Sequence, residues 1–219
     1  MRKSRRIYET SKSDFFGVVF WAALIIRHKC NIFLFNKLIH LFCYMRGVKI
    51  GNKVIFNGLP AIQRYPESKI FIGNNCLLNS ARNSVEFGLR RPCTFVTLKK
   101  DSEIIIGNNV GLSGTIIVSA SKLEICNNVL IGANCIIIDS DFHHTDLNKR
   151  LQGDNGPSIP VLIEDNVFIG ANCFILKGVT IGENSVIGIN SVVVNSIPKN
   201  SIAIGNPCKL VIQKTISTI

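Results

Sequence analysis

Two adjacent histidines, His143 and His144, follow Asp139 and Asp141 in a stretch of the chain crowded with polar residues. A neutral imidazole titrates near neutral pH, so it can take a proton from a hydroxyl and return it to a leaving group. Such a base works well only when its second ring nitrogen is held. Asp139, Asp141 or a backbone carbonyl are the groups at hand. The same carboxylates are ordinary turn formers, and the sequence leaves both roles open for them. The chain has eight cysteines but no Cys-x-x-Cys pair, so neither a zinc site nor a disulfide framework is indicated.

The scaffold that must position these histidines is a repeat of six. From Ile163 to Pro198 six hexapeptides run without a break, opened by Ile163, Ile169, Ile175, Ile181, Ile187 and Val193. This period fits neither an amphipathic helix nor a hairpin sheet. It is the pattern of a parallel β-helix, in which short strands coil round one aliphatic stack. The β-branched openers suit a strand packed on both sides. Gly170, Gly182 and Gly188 follow the openers and are expected to turn the chain through positive φ. The fifth position (Val167, Cys173, Val179, Ser185, Ser191) is small enough to tuck inside a corner. Cys76, Cys135 and Cys173 fall at such corners, which reads as buried, reduced thiols. Buried thiols are inert, which argues against a cysteine nucleophile at Cys135 or Cys173.

The phase recurs earlier, at Ile50, Ile72, Ile106, Ile125 and Ile131, and is broken by the polar stretch 141–162. A long loop inside a tight repeat carries function or is disordered. The expected organisation is a basic, hydrophobic, helical segment over 1–46, a solenoid over 47–212 with the excursion loop 141–162, and a tail over 213–219.

The formal charge of +11 is unevenly spread, since residues 1–46 hold nine Lys/Arg against Glu9 and Asp14. The apolar run from Phe15 to Ile26 is short for a bilayer span and is followed by Arg27-His28-Lys29, not by a cleavage site. Two short helices are expected. They either lie on an anionic membrane surface or cover the open end of the solenoid, and the sequence leaves both open. The charge flanks an apolar segment outside any nucleic-acid module, so no nucleic-acid partner is expected.

Residues 131 to about 209 resemble the left-handed β-helix, hexapeptide-repeat acyltransferases. The likeness rests on Ile138-Asp139-Ser140-Asp141-Phe142-His143, on Ile163-Glu164-Asp165-Asn166-Val167-Phe168-Ile169-Gly170-Ala171-Asn172, on Ile175-Leu176-Lys177-Gly178-Val179-Thr180-Ile181-Gly182, and on the closing Gly205-Asn206-Pro207-Cys208-Lys209. Within that superfamily the chain is most similar to sugar O-acetyltransferases of bacterial polysaccharide and lipopolysaccharide synthesis. The resemblance implies an all-β fold, a left-handed parallel β-helix; the hand comes from the likeness, because ordinary crossovers favour the right. It implies a homotrimer with active sites between neighbouring solenoids, and acetyl-CoA laid along the C-terminal coils. It also implies a sugar or glycan acceptor, no metal, and a cytoplasmic location with optional contact to the inner face of the membrane.

On the same resemblance, His143 aligns with the catalytic histidine, with His144 as second candidate and Asp141 completing the set. Phe168 stands where a tryptophan is common, so an oxyanion contact would come from the backbone at Gly170 or Ala171. The coenzyme A surface would comprise Phe168, Gly170, Ala171, Lys177, Gly188 and Asn190. Lys209 and Lys214 would meet its phosphates, in a C-terminal region where no acid follows Glu183. N-acetylation of an amino-sugar nucleotide and a non-catalytic binding solenoid are the alternatives. A γ-class carbonic anhydrase would need three metal-binding histidines, and the solenoid has two.

Overall fold

The computed structural model describes residues 16–19, 35–85 and 88–213. Residues 1–15 and 20–34, with most of the basic and apolar N-terminal segment and Cys30, lie outside the described residues, as do Lys214 and the rest of the tail.

From Val48 onward the chain winds through three sheets, contributing one strand to each sheet per coil. Among the described strands all pairings are parallel except the last, where Lys209–Gln213 folds back antiparallel on Ser201–Ile204 and closes the C-terminal end. The register builds three internal columns. The first face stacks Ile50, Ile72, Ile106, Ile125, Ile163, Ile181 and Ile197. The second stacks Phe56, Leu78, Leu112, Ile131, Ile169, Ile187 and Ala203. The third stacks Ile62, Phe95, Ile117, Ile137, Ile175 and Val193. All six hexapeptide openers are completely buried, as the six-residue period requires. Each such side chain contributes about 1.5–3 kcal/mol by leaving water, so the columns carry most of the stability.

The corners correct one expectation. Gly170, Gly182 and Gly188 are not at positive φ. That conformation belongs to Asn166, Asn172, Asn184 and Asn190, with Gly178 at the equivalent place. The glycines are needed for another reason: a Cβ on Gly182 would lie 2.3 Å from the backbone nitrogen of Lys199 on the next coil. The asparagine corners are bonded into a ladder. The amide of Asn128 donates to Asn166 (3.1 Å), Asn166 to Asn184 (3.0 Å) and Asn184 to Asn200 (3.0 Å). The fifth-position residues Val167, Cys173, Val179, Ser185 and Ser191 are buried inside the corners as expected, and so are Cys76 and Cys135.

A helix over residues 35–45 closes the N-terminal end. Ile39 and Cys43 enter the core, and burial pushes the Cys43 thiol up to about 12. Asn36 donates to the carbonyl of Val54 (3.2 Å) and accepts from the amide of Phe56 (2.9 Å), while the His40 ring lies edge-on to Phe56. These contacts satisfy backbone groups that a bare first coil would leave exposed. Covering the open end is thus the observed role of this helix. Among the described residues no helix is long and apolar enough to cross a membrane.

Two segments leave the coil. Residues 80–93 project from the corner between the second and third faces, and residues 139–160 from the corner between the third and first. The second is the expected loop with shifted limits: it begins at Asp139, and Val161–Ile163 is already strand.

Candidate active site

The loop that carries the histidines is tied down at its foot. Asp139 is wholly buried and its carboxylate accepts from Ser119 Oγ (2.7 Å), the amide of Ala120 (2.6 Å), the amide of Ser121 (2.8 Å) and Ser121 Oγ (3.1 Å). Its carbonyl accepts from the amide of Ile159 (2.8 Å), closing the loop like a purse. Asp139 therefore anchors the loop and does not touch His143. Asp141 pairs instead with Lys177, which ties the loop to a later corner. The two residues expected as catalytic carboxylate and cofactor cation thus hold each other. A short helix, Leu147–Leu151, is capped by Asp146, and Arg150 donates to the carbonyls of His144 (3.0 Å) and Thr145 (3.1 Å). Phe142 sits at φ 63°, a left-handed conformation that costs a bulky residue about 1–3 kcal/mol and aims the chain into His143.

The two histidines differ. His143 is exposed, and its ring makes no hydrogen bond among the described residues. His144 is half-buried, and its Nδ1 accepts from the amide of Asp146 at 2.9 Å. That bond assigns the proton of the neutral ring to Nε2. Neutral His144 then has no lone pair free to act as a base. His143 keeps one.

On the other edge of the third face lies a shallow groove of about 410 Å³. Phe168, Gly170, Ala171 and Gly188 line it, four of the residues expected at the cofactor surface, together with Gly132, Ala133 and Ile189. Its floor is built from the close-packed glycine and alanine corners, and Phe168, Val186, Ile187 and Ile189 add apolar walls. From inside the core, Cys135 Sγ donates to the carbonyl of Gly170 (3.1 Å) and Cys173 Sγ to that of Gly188 (3.0 Å). The neighbouring Cys173 thiol, with burial behind it, pushes the Cys135 thiol up, and both sulfurs are sealed from solvent. Asn190 lies at an exposed corner next to the groove residue Ile189. Lys209 is exposed and pairs in the last ribbon with Ile204, the residue that lies over Gly188. Lys214 lies outside the described residues. No group of three or more His, Cys, Asp or Glu suited to a metal occurs among the described residues.

The base and the groove are separated. A strand of the third face, Ile136–Ile138, runs from the groove corner to the histidine corner. Three residues of strand span on the order of 10 Å. One chain therefore presents the two halves of a site on opposite edges of one sheet.

Sequence reasoning missed the excursion 80–93, which carries Arg82, Arg90 and Arg91. A signal was present. Equivalent corner residues lie 16 to 22 positions apart on uninterrupted coils, but 34 apart between Asn74 and Asn108 and 38 apart between Asn127 and Asp165. Both excesses mark excursions, and only the second coincided with a motif.

The family model for the hexapeptide repeat of succinyl-transferase matches residues 160–195 and 178–210. A Saccharomyces cerevisiae protein, whose name assigns it provisionally to the acetyltransferases, is 43% identical over 111 residues, 50% of this chain and 56% of that one. The galactoside O-acetyltransferase of Lactococcus lactis is 36% identical over 146 residues, 63% of this chain and 59% of the relative. The chain thus spans a little over half the length of these two relatives. Among solved structures, a mutant of AntD, an N-acyltransferase from Bacillus cereus in complex with dTDP and coenzyme A, has a TM-score of 0.62 at 18% identity and covers 81% of this chain and 89% of that one. These matches support a place in the hexapeptide-repeat acyltransferase superfamily. With the three parallel sheets, they give the fold as a left-handed parallel β-helix.

Proposed function

We propose that the protein is an acetyl-CoA-dependent O-acetyltransferase that acts on a sugar hydroxyl of a bacterial surface glycan or its precursor. The observation that carries this reading is the pairing of an exposed, uncommitted imidazole with an apolar groove over close-packed coil corners. The groove suits the thin pantetheine arm of coenzyme A, and exposed Lys209 near its C-terminal lip suits a phosphate. His143 accepts the proton of the acceptor hydroxyl as the oxygen bonds to the acetyl carbonyl carbon. The imidazolium then returns that proton to the coenzyme A sulfur as the carbon–sulfur bond breaks. The amide of Gly170 already donates to the carbonyl of Ile187 (2.8 Å), which corrects its expected oxyanion role and leaves the amide of Ala171 as the backbone donor for the oxyanion.

Because the two halves lie on opposite edges of one sheet, the working site is assembled between copies in a homotrimer, the base of one protomer meeting the groove of the next. Exposed Ile189, Ile204, Leu210 and Ile212 on the C-terminal coils support association, since an apolar surface of this kind is usually covered. The same reading puts the protein in the cytoplasm, with the N-terminal segment 1–46 as its contact to the inner face of the membrane.

The test is coenzyme A release from acetyl-CoA against a panel of sugars, amino sugars and nucleotide sugars. Wild type, His143→Ala and His144→Ala are compared. Acceptor-dependent release that falls about a hundredfold or more in His143→Ala alone supports the assignment. Undiminished release in His143→Ala removes that base. Acceptance of amines but not hydroxyls would replace O- by N-acetylation.

A further inference from the structure

The described parts of the first excursion, residues 80–85 and 88–93, are tied to the coil by hydrogen bonds. The amides of Ser80 and Ala81 donate to the carbonyl of Asn57 (2.8 and 2.6 Å), the amide of Leu89 to that of Arg82 (2.8 Å), and the amide of Arg90 to Asn134 Oδ1 (3.0 Å). Leu89 is buried as a plug against the coil corner. These bonds bring Arg82, Arg90 and Arg91 around one pocket of about 560 Å³.

Among the described residues the pocket is lined by three arginines and no acid. None of the four ion pairs among the described residues involves them. Arg91 Nε is buried without a hydrogen-bond partner. A buried, unsatisfied donor of a charged group is costly unless a ligand completes it. Guanidinium forks match phosphate oxygens in pairs, and three of them exceed what one carboxylate needs. The same excursion also sends Val85 into the groove that lines up Phe168, Gly170 and Gly188. One segment thus joins an anion pocket to the proposed acetyl-donor groove.

We propose that this pocket holds the phosphates of the acceptor, so that the sugar to be acetylated is esterified to a diphosphate. This rests on the acetyl-transfer reading above and narrows its substrate class. The diphosphate can belong to a nucleotide-linked or a lipid-linked sugar.

The direct test is calorimetric titration of the full chain, saturated with coenzyme A, with inorganic pyrophosphate. Binding is expected to weaken about tenfold or more in the Arg82→Gln/Arg90→Gln variant, while coenzyme A affinity stays unchanged. Both side chains are exposed, so the variant keeps the fold. Equal pyrophosphate binding in the two proteins overturns the proposal. A parallel loss of coenzyme A affinity also overturns it and assigns the arginines to the co-substrate. Failure of wild type to bind coenzyme A at all would count against acetyl transfer, and the pyrophosphate comparison would then be read by itself. Kinetics distinguish the sources. A nucleoside-diphosphate sugar or a polyprenyl-diphosphate sugar in detergent should show a KM about tenfold or more below that of the free sugar, with the gap lost in the variant. Equal KM values for free and diphosphate-linked sugars would contradict the proposal.

Discussion

The two excursions are built on one scaffold by opposite means. Residues 139–160 are fixed by a buried charge: Asp139 gathers four hydrogen bonds at the loop's foot. Residues 80–93 are fixed by an apolar plug, Leu89, with backbone bonds on either side. The first presents a titratable base and the second a set of permanent cations. A coil that repeats every 16 to 22 residues offers rigid corners from which either chemistry can be hung. The coils supply position and the excursions supply reactivity.

If that contrast is right, the two anchors fail differently. Asp139→Ala should be the most damaging, at about 3 kcal/mol, because it strands the Ser119 hydroxyl and the Ala120 and Ser121 amides in a buried place. Chemical denaturation measures the loss. Asp139→Asn, which keeps the shape and part of the accepting capacity, should recover some of it. A loss below 0.5 kcal/mol or so, the level of an ordinary surface change, would mean the loop is held elsewhere.

Leu89→Ala should come next, at about 2–3 kcal/mol from lost burial and the cavity left behind. It should also loosen the arginine pocket, read as faster amide exchange over residues 80–93 with exchange over 139–160 unchanged. Equal loosening of both excursions would break the comparison. Lys177→Met should be the mildest. Its pair with Asp141 is about a quarter exposed on both sides, so the expected cost is about 1 kcal/mol or less. Its signature would be greater mobility of the histidine loop without loss of the coil.

The sequence made the C-terminal coils legible because two-residue strands and corners repeat there without interruption, and burial of Ile163 through Val193 follows from the period alone. The glycine corners were read with the right residues and the wrong cause. Close approach, as at Gly182, is a property of the neighbouring coil and has no local signature. His143 was singled out through its motif. The commitment of His144 Nδ1 to the Asp146 amide depends on the loop's folded path, and so does the pairing of Asp141 with Lys177 across 36 residues. Arg82, Arg90 and Arg91 carry no motif, and only the long gap between Asn74 and Asn108 announced them.

The central claim is that a base on one edge of the third face works with a groove from another copy. It is tested most directly by mixing two crippled chains. One carries His143→Ala with an intact groove, and the other carries Ala171→Trp, which fills the groove and keeps His143. Each alone should be inactive in acetyl-CoA turnover. After the two are unfolded together and refolded at equal amounts, random trimers should regain about a quarter of wild-type turnover, because one interface in four then joins an intact base to an intact groove. Turnover that stays at the level of the separate variants would contradict the account and put base and groove to work within a single chain.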